Sequence, residues 1–219
     1  MEPLKNLFDK EFVEKFASNI KKYSSTFDEE LYVSLVLNSL ENLELKLRMR
    51  LISSSLKKCL KEDYKENIEI LKLVKDDFFK KEATNLQTMV LADFVEVFGL
   101  EEFDISMQAL EVFTIDSSSE FAVRHFIVKD EQKAMQYFFK WAKSSNEHIR
   151  RLASEGCRPR LPWAIALESF KKNPSTIFPI LEELKNDESS YVRRSVANNL
   201  NDISKDNPIL VINFIKENI

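Results

Sequence analysis

A four-residue block recurs in this chain at a fixed distance. His148-Ile149-Arg150-Arg151 returns as Tyr191-Val192-Arg193-Arg194, 43 positions later. Each copy follows a polar cluster, Lys143-Ser144-Ser145-Asn146 in the first case and Asn186-Asp187-Glu188-Ser189 in the second. A period of about 40–47 residues built from paired helices marks an array in which each hairpin buries its apolar face only by stacking on its neighbours.

Helical periodicity supports that reading elsewhere. Phe8, Phe12, Val13 and Phe16 form one apolar stripe, Leu31 to Leu40 reads as a helix apolar almost all round, and Leu43 to Leu60 as a third. Further helices are predicted over 64–81, 87–98 and 104–115, the last capped by Asp104, with a charged loop or irregular helix end between Val74 and Thr84. The second half predicts helices over 118–128, 131–144, 147–156, 163–172, 175–185, 189–204 and 208–217. Ser117 with Glu120 has capping-box spacing, and Pro162, Pro174 and Pro208 sit where a helix start tolerates proline. Only two glycines, Gly99 and Gly156, occur in 219 residues, too few turn formers for a sheet-rich fold. The expectation is all-α: one domain over 1–219, a right-handed α-solenoid of HEAT-like antiparallel helix pairs with a concave binding face.

Composition narrows the function classes. No run of 18 apolar residues and no charged-then-apolar leader is present, which points to a cytoplasmic, nucleoid-associated protein with no membrane partner. Cys59 and Cys157 are far apart and read as buried, reduced thiols. Two glycines leave no phosphate-cradling loop and no nucleophile elbow, and His125 and His148 lack a second ligand at metal spacing. No cofactor and no metal are expected. The net charge of −4 hides an asymmetry: residues 1–119 carry −7 and residues 120–219 carry +3. Between 140 and 172 eight basic residues face three acidic ones, a local surface suited to a polyanion.

The predicted inner helices place acids and arginines together. Glu120 and Arg124 share a face, as do Arg151 and Glu155, and Arg194, Asn198, Asp202 and Lys205 form a stripe on the helix over 189–204. Ordinary roles are open for each. Glu120 suits a cap or a partner for Arg124, Glu155 a partner for Arg151, Asp202 a helix end, and Trp163 a core position.

The run from Asn146 to Ala164, with Ser154-Glu155-Gly156-Cys157-Arg158-Pro159-Arg160-Leu161-Pro162-Trp163-Ala164 at its heart, resembles the AlkC branch of the HEAT-like DNA alkylation repair glycosylases. So do Tyr191 to Ile203, Ser119 to Arg124, and the shorter matches Leu4 to Asp9 and Leu43 to Arg48. The resemblance implies an enzyme of base excision repair that cleaves the N-glycosidic bond of N-alkylated, cationic bases in DNA. By motif position it implies Glu120, Glu155 and Asp202 as the acids of the site, with Trp163 beside them. Some members of that branch carry an immunoglobulin-like domain after the helices; this sequence is expected to lack one.

The chemistry is coherent with such a site. A cationic base leaves readily, so the need is for a fixed carboxylate that stabilises positive charge building on the deoxyribose and orients water. Arg124, Arg150, Arg151, Arg158, Arg160, Arg193 and Arg194 are the candidate phosphate contacts, two of them on a loop stiffened by Pro159 and Pro162. Trp163, expected at the start of the next helix, could stack on a sugar or base. The expected partner is DNA carrying alkylated bases, bound by a monomer. Two alternatives use the same fold: a catalytically inactive DNA-binding protein, and a protein-binding scaffold.

Overall fold

The computed structural model describes residues 2–217, and every regular element among them is helical. They form two compact units, one ending at Ser118 and one beginning at Ser119.

In the first unit α1 (Lys10–Tyr23) starts at Asp9, whose carboxylate accepts the Phe12 amide. Its stripe of Phe12, Val13 and Phe16 is buried, with the Phe12 and Phe16 rings against Phe78 and Phe79. On α2 (Glu29–Leu37) only Tyr32 and Val36 are fully buried and Leu31 is exposed, so this helix is apolar beyond what its packing uses. Next come α3 (Leu45–Cys59) and α4 (Tyr64–Val74), and α4 does not stop at Val74. A π-helical turn, Lys75–Phe79, carries it into one short further turn, α5 (Lys80–Glu82). The segment without a clear period is therefore helix with a wider turn, which blurs the 3.6-residue pattern. A capping box of Thr84 and Gln87 opens α6 (Asn85–Phe98). The last helix, α7 (Phe103–Phe113), begins one residue before Asp104, which lies in its first turn rather than at its cap.

The second unit carries the repeat. It contains α8 (Val123–Lys129), α9 (Glu131–Trp141), α10 (Glu147–Gly156), α11 (Glu168–Lys172), α12 (Phe178–Leu184), α13 (Ser190–Ser204) and α14 (Pro208–Glu217). Short links join α9 to α10 and α12 to α13 as hairpins, and the hairpins stack by packing α10 on α13. Phe138, Trp141, Leu152, Val192 and Leu181 are completely buried between them. Each such side chain is worth roughly 1.5–3 kcal/mol by area removed from water. Cys59 and Cys157 are buried free thiols, as their spacing suggested.

The two copies of the motif make the same contact. Arg150 Nη1 donates to the carbonyls of Ser144 (3.1 Å) and Ser145 (3.0 Å), six and five residues back. Arg193 Nη1 donates to those of Asp187 (2.6 Å) and Glu188 (2.9 Å) at the same offsets. Each arginine thus satisfies carbonyls in the link before its own helix. Arg150 also grips Asp187 of the next repeat through Nε and Nη2, at 2.6 and 2.9 Å, and is buried; Arg193 stays exposed. The 43-residue period is a structural unit.

Gly156 ends α10 where the side chains of Val123 and Phe138 press on it. A Cβ there would lie 2.8 Å from Val123 Cγ2 and 3.1 Å from the Phe138 ring. Overpacking of this kind costs about 1–3 kcal/mol and outweighs the helix-propensity gain of about 1 kcal/mol. Gly156→Ala is therefore expected to lower the denaturant midpoint; an unchanged or raised midpoint would contradict the close packing.

Candidate functional site

Glu120, Glu155 and Asp202 come together in the second unit, each from a different place. Glu120 lies in the turn before α8, Glu155 near the end of α10 and Asp202 near the end of α13. They are 6, 5 and 2% exposed. Buried carboxylates need compensation, and two arginines provide it. Arg151 Nη1 lies 3.0 Å from Glu120 Oε1 and Arg151 Nη2 lies 3.5 Å from Glu155 Oε1. Arg158 Nη1 lies 2.6 Å from Glu155 Oε1 and Arg158 Nε 2.8 Å from Asp202 Oδ2. Lys205, half-exposed, closes the series at 3.0 Å from Asp202 Oδ1. The result is a ladder of alternating charge: Glu120, Arg151, Glu155, Arg158, Asp202, Lys205.

Burial works against charge on Arg151 and Arg158, yet the surrounding carboxylates outweigh it and hold both guanidinium groups above the ordinary arginine range. Glu155 is fixed on its other oxygen as well. Ser195 Oγ donates to Oε2 at 2.6 Å and receives from Ser154 Oγ at 2.7 Å. Asn199, also buried, ties α13 to the Ser154 carbonyl at 2.7 Å. Tyr191 lies across the guanidinium of Arg151, 5.0 Å from ring centroid to carbon, a favourable cation–π geometry.

The loop 157–167 leaves this ladder and returns to the core at Leu167. Arg124 organises it. Completely buried, its guanidinium donates to the carbonyls of Ile165 (2.7 Å), Gly156 (3.1 Å), Arg158 (2.6 Å) and Pro159 (3.4 Å). Burial brings its pKa down to about 10, still cationic at neutral pH. At the tip Trp163 is 76% exposed in a left-handed backbone conformation, φ 65°. Arg160 is held bidentate by Asp206 at 3.0 and 2.7 Å. Among the described residues, no three His, Cys, Asp or Glu side chains converge to hold a metal ion.

Residues 107–219 match the family described as DNA alkylation repair enzyme. The Bacillus subtilis (strain 168) protein YhaZ, itself described as uncharacterized, is 41% identical over 212 residues, 96% of this chain and 58% of its own length. The chain belongs to the DNA alkylation repair enzyme family. The structure of Pseudomonas fluorescens alkylpurine DNA glycosylase AlkC, bound to DNA containing an abasic site analog, matches with a TM-score of 0.92 and 36% identity. That match covers 99% of this chain and 59% of the other. The chain thus spans a little under three fifths of the length of these relatives.

In this alkylation repair family member several expectations need correction. Arg124 does not pair with Glu120 and offers nothing to a phosphate, because its donors are spent on carbonyls inside the fold. Arg150 is likewise buried on Asp187 and two carbonyls, and Arg158 is enclosed between Glu155 and Asp202. Glu120 forms no capping box: α8 starts at Val123, and the Ser117 hydroxyl bonds the Asn85 carbonyl at 2.8 Å. Trp163 lies in an exposed turn, since the helix expected over 163–172 forms only from Glu168. Pro162 accordingly sits in that turn, and Pro174 four residues ahead of α12. Arg194 is exposed and carries no ion pair among the described residues, while Arg193 is exposed and Arg160 half-buried, each with its own partner.

Ser195, Asn199 and Tyr191 were missed. Ser195, Asn199 and Asp202 stand at i, i+4 and i+7, the spacing of one helix face, and that polar face is buried on α10. The spacing was visible; its polarity disguised it as solvent-facing.

Proposed function

We propose that this protein is a DNA glycosylase that releases N-alkylated, cationic bases from DNA without a cofactor. In this reading it works in the cytoplasm as a monomer, with residues 1–219 acting as one repair domain. The observation that carries the reading is the buried ladder, in which Glu155 is held on both oxygens; the loop that follows it in sequence carries an exposed aromatic, Trp163. As the glycosidic bond breaks, its electron pair leaves with the alkylated base, which becomes neutral, and positive charge develops on the deoxyribose. Water then adds to the sugar carbon and gives up a proton. A fixed carboxylate stabilises that charge and accepts that proton. Glu155 and Asp202 are assigned to this work, Glu120 to holding Arg151, and Trp163 to stacking on a sugar or base at the lesion. Arg194, Arg193, Arg160 and Lys205 supply phosphate contacts.

One observation favours a second reading, a DNA-binding protein without catalysis: all three acids are buried and ion-paired. Incubation with methylated DNA separates the two. The glycosylase releases free alkylated base and leaves alkali-labile abasic sites in proportion to protein concentration. Salt-sensitive binding with release at the spontaneous rate would leave only the second reading.

A further inference from the structure

The first unit contains a buried lysine that no described residue grips by a hydrogen bond or close ion pair, although Asp76 and Asp116 favour its charge. Lys75, at the start of the π-helical turn, is 6% exposed, yet its ammonium has neither an ion pair nor a hydrogen bond with any described residue. Its stem is buried while its ammonium meets a pocket rather than being sealed from water, as long cationic side chains commonly do. Lys75 lines a pocket of about 200 Å3, whose wall also includes Lys80, Asn85, Thr88, Ile115 and Asp116. That volume is several times the roughly 30 Å3 occupied by one water.

The wall is built for an anion. Asn85 and Thr88 belong to the first turn of α6, a 14-residue helix whose amides and dipole favour negative charge at that end. The capping box uses Thr84 and Gln87, so the amides of Asn85 and Leu86 remain open donors. Among the lining residues two lysines face one carboxylate, Asp116, while Asp76 acts on Lys75 from outside the wall. Burial lowers the Lys75 pKa, and a bound anion would reverse that loss. π-turns recur at functional sites, and Asp116 is held in the left-handed region at φ 59°.

We propose that this pocket binds a phosphate-bearing anion, held by the Lys75 and Lys80 ammonium groups and the amides at the start of α6. The pocket belongs to the unit ending at Ser118 and the ladder to the other, so the inference is independent of the glycosylase reading. A free phosphate and a nucleic-acid backbone phosphate share this chemistry.

The test is thermal unfolding of the full chain in sodium phosphate against sodium chloride of equal ionic strength. Binding to the folded state raises the midpoint in phosphate. Lys75→Met is expected to unfold at no lower a temperature than the parent in chloride, because burial disfavours the charge it removes, and to lose the phosphate response. Lys80→Met, at an exposed position, folds as the parent does and is expected to weaken the response about tenfold, the size of a lost charged hydrogen bond. A parallel titration with a single-stranded oligonucleotide identifies the source. A matching tenfold loss in Lys80→Met assigns a backbone phosphate, and an unchanged affinity beside a lost phosphate response assigns a free one. A parent that does not respond to phosphate, or variants that respond as the parent does, would overturn the proposal.

Discussion

A Glu155→Gln chain is expected to release alkylated bases about 100-fold more slowly than the parent, or worse, since one preorganised electrostatic contact is typically worth that much. The substitution keeps the shape of the side chain. Its carbonyl can still accept from Arg158 or from Ser195, which now sit at 2.6 Å from the two carboxylate oxygens. Arg151 and Arg158 each keep one carboxylate, Glu120 and Asp202, so the chain is expected to fold with reduced stability while the charge is lost. Single-turnover release from methylated DNA measures the effect, and the thermal midpoint checks the fold. A Glu155→Gln chain with parental rates would remove this residue from the mechanism, and the same comparison at Asp202 would then decide whether the ladder has any catalytic member.

The second large effect is expected from a residue that touches no substrate. Arg124→Met should destabilise the second unit by about 3 kcal/mol or more, because each buried carbonyl stripped of its partner costs about 1–3 kcal/mol. Four carbonyls lose a donor together, those of Gly156, Arg158, Pro159 and Ile165, and of these Pro159 keeps the Leu167 amide. Methionine fills much of the space but answers none of them. Denaturant unfolding measures the loss. Base release should fall too, even where the chain remains folded, because the same carbonyls set the path of the loop that carries Arg158 and Trp163. A change below about 1 kcal/mol, within the range of an ordinary surface substitution, would show that the loop holds itself.

Much of the second unit was legible because its helices announce themselves locally. Asn146 caps α10 through the His148 amide, at 2.9 Å, and α10 spans 147–156 as its pattern predicts. The duplicated arginine motif marks a real repeat because each copy solves the same local problem, unpaired carbonyls in the preceding link. What was not legible depends on partners distant in sequence. Arg124 reads as a surface arginine beside Glu120, and only contacts 32 to 41 residues away reveal a buried clamp. Trp163 looked like a helix start because Pro162 precedes it; the loop's anchors at Pro159 and Ile165 override that preference. The acids were identified as a set, but their relation was not. Face assignments set Asp202 with Arg194 and Asn198, whereas its buried neighbours are Ser195 and Asn199.

The backbone at Trp163 has a consequence for how this chain could change. A bulky residue in the left-handed region forgoes about 1–2 kcal/mol that glycine would keep, and a side chain 76% exposed recovers little of it by burial. Selection for stability alone would replace this tryptophan. If it stacks as proposed, its position is one where a sturdier protein and a working one are different sequences, and variants chosen only for heat resistance would drift away from tryptophan here first.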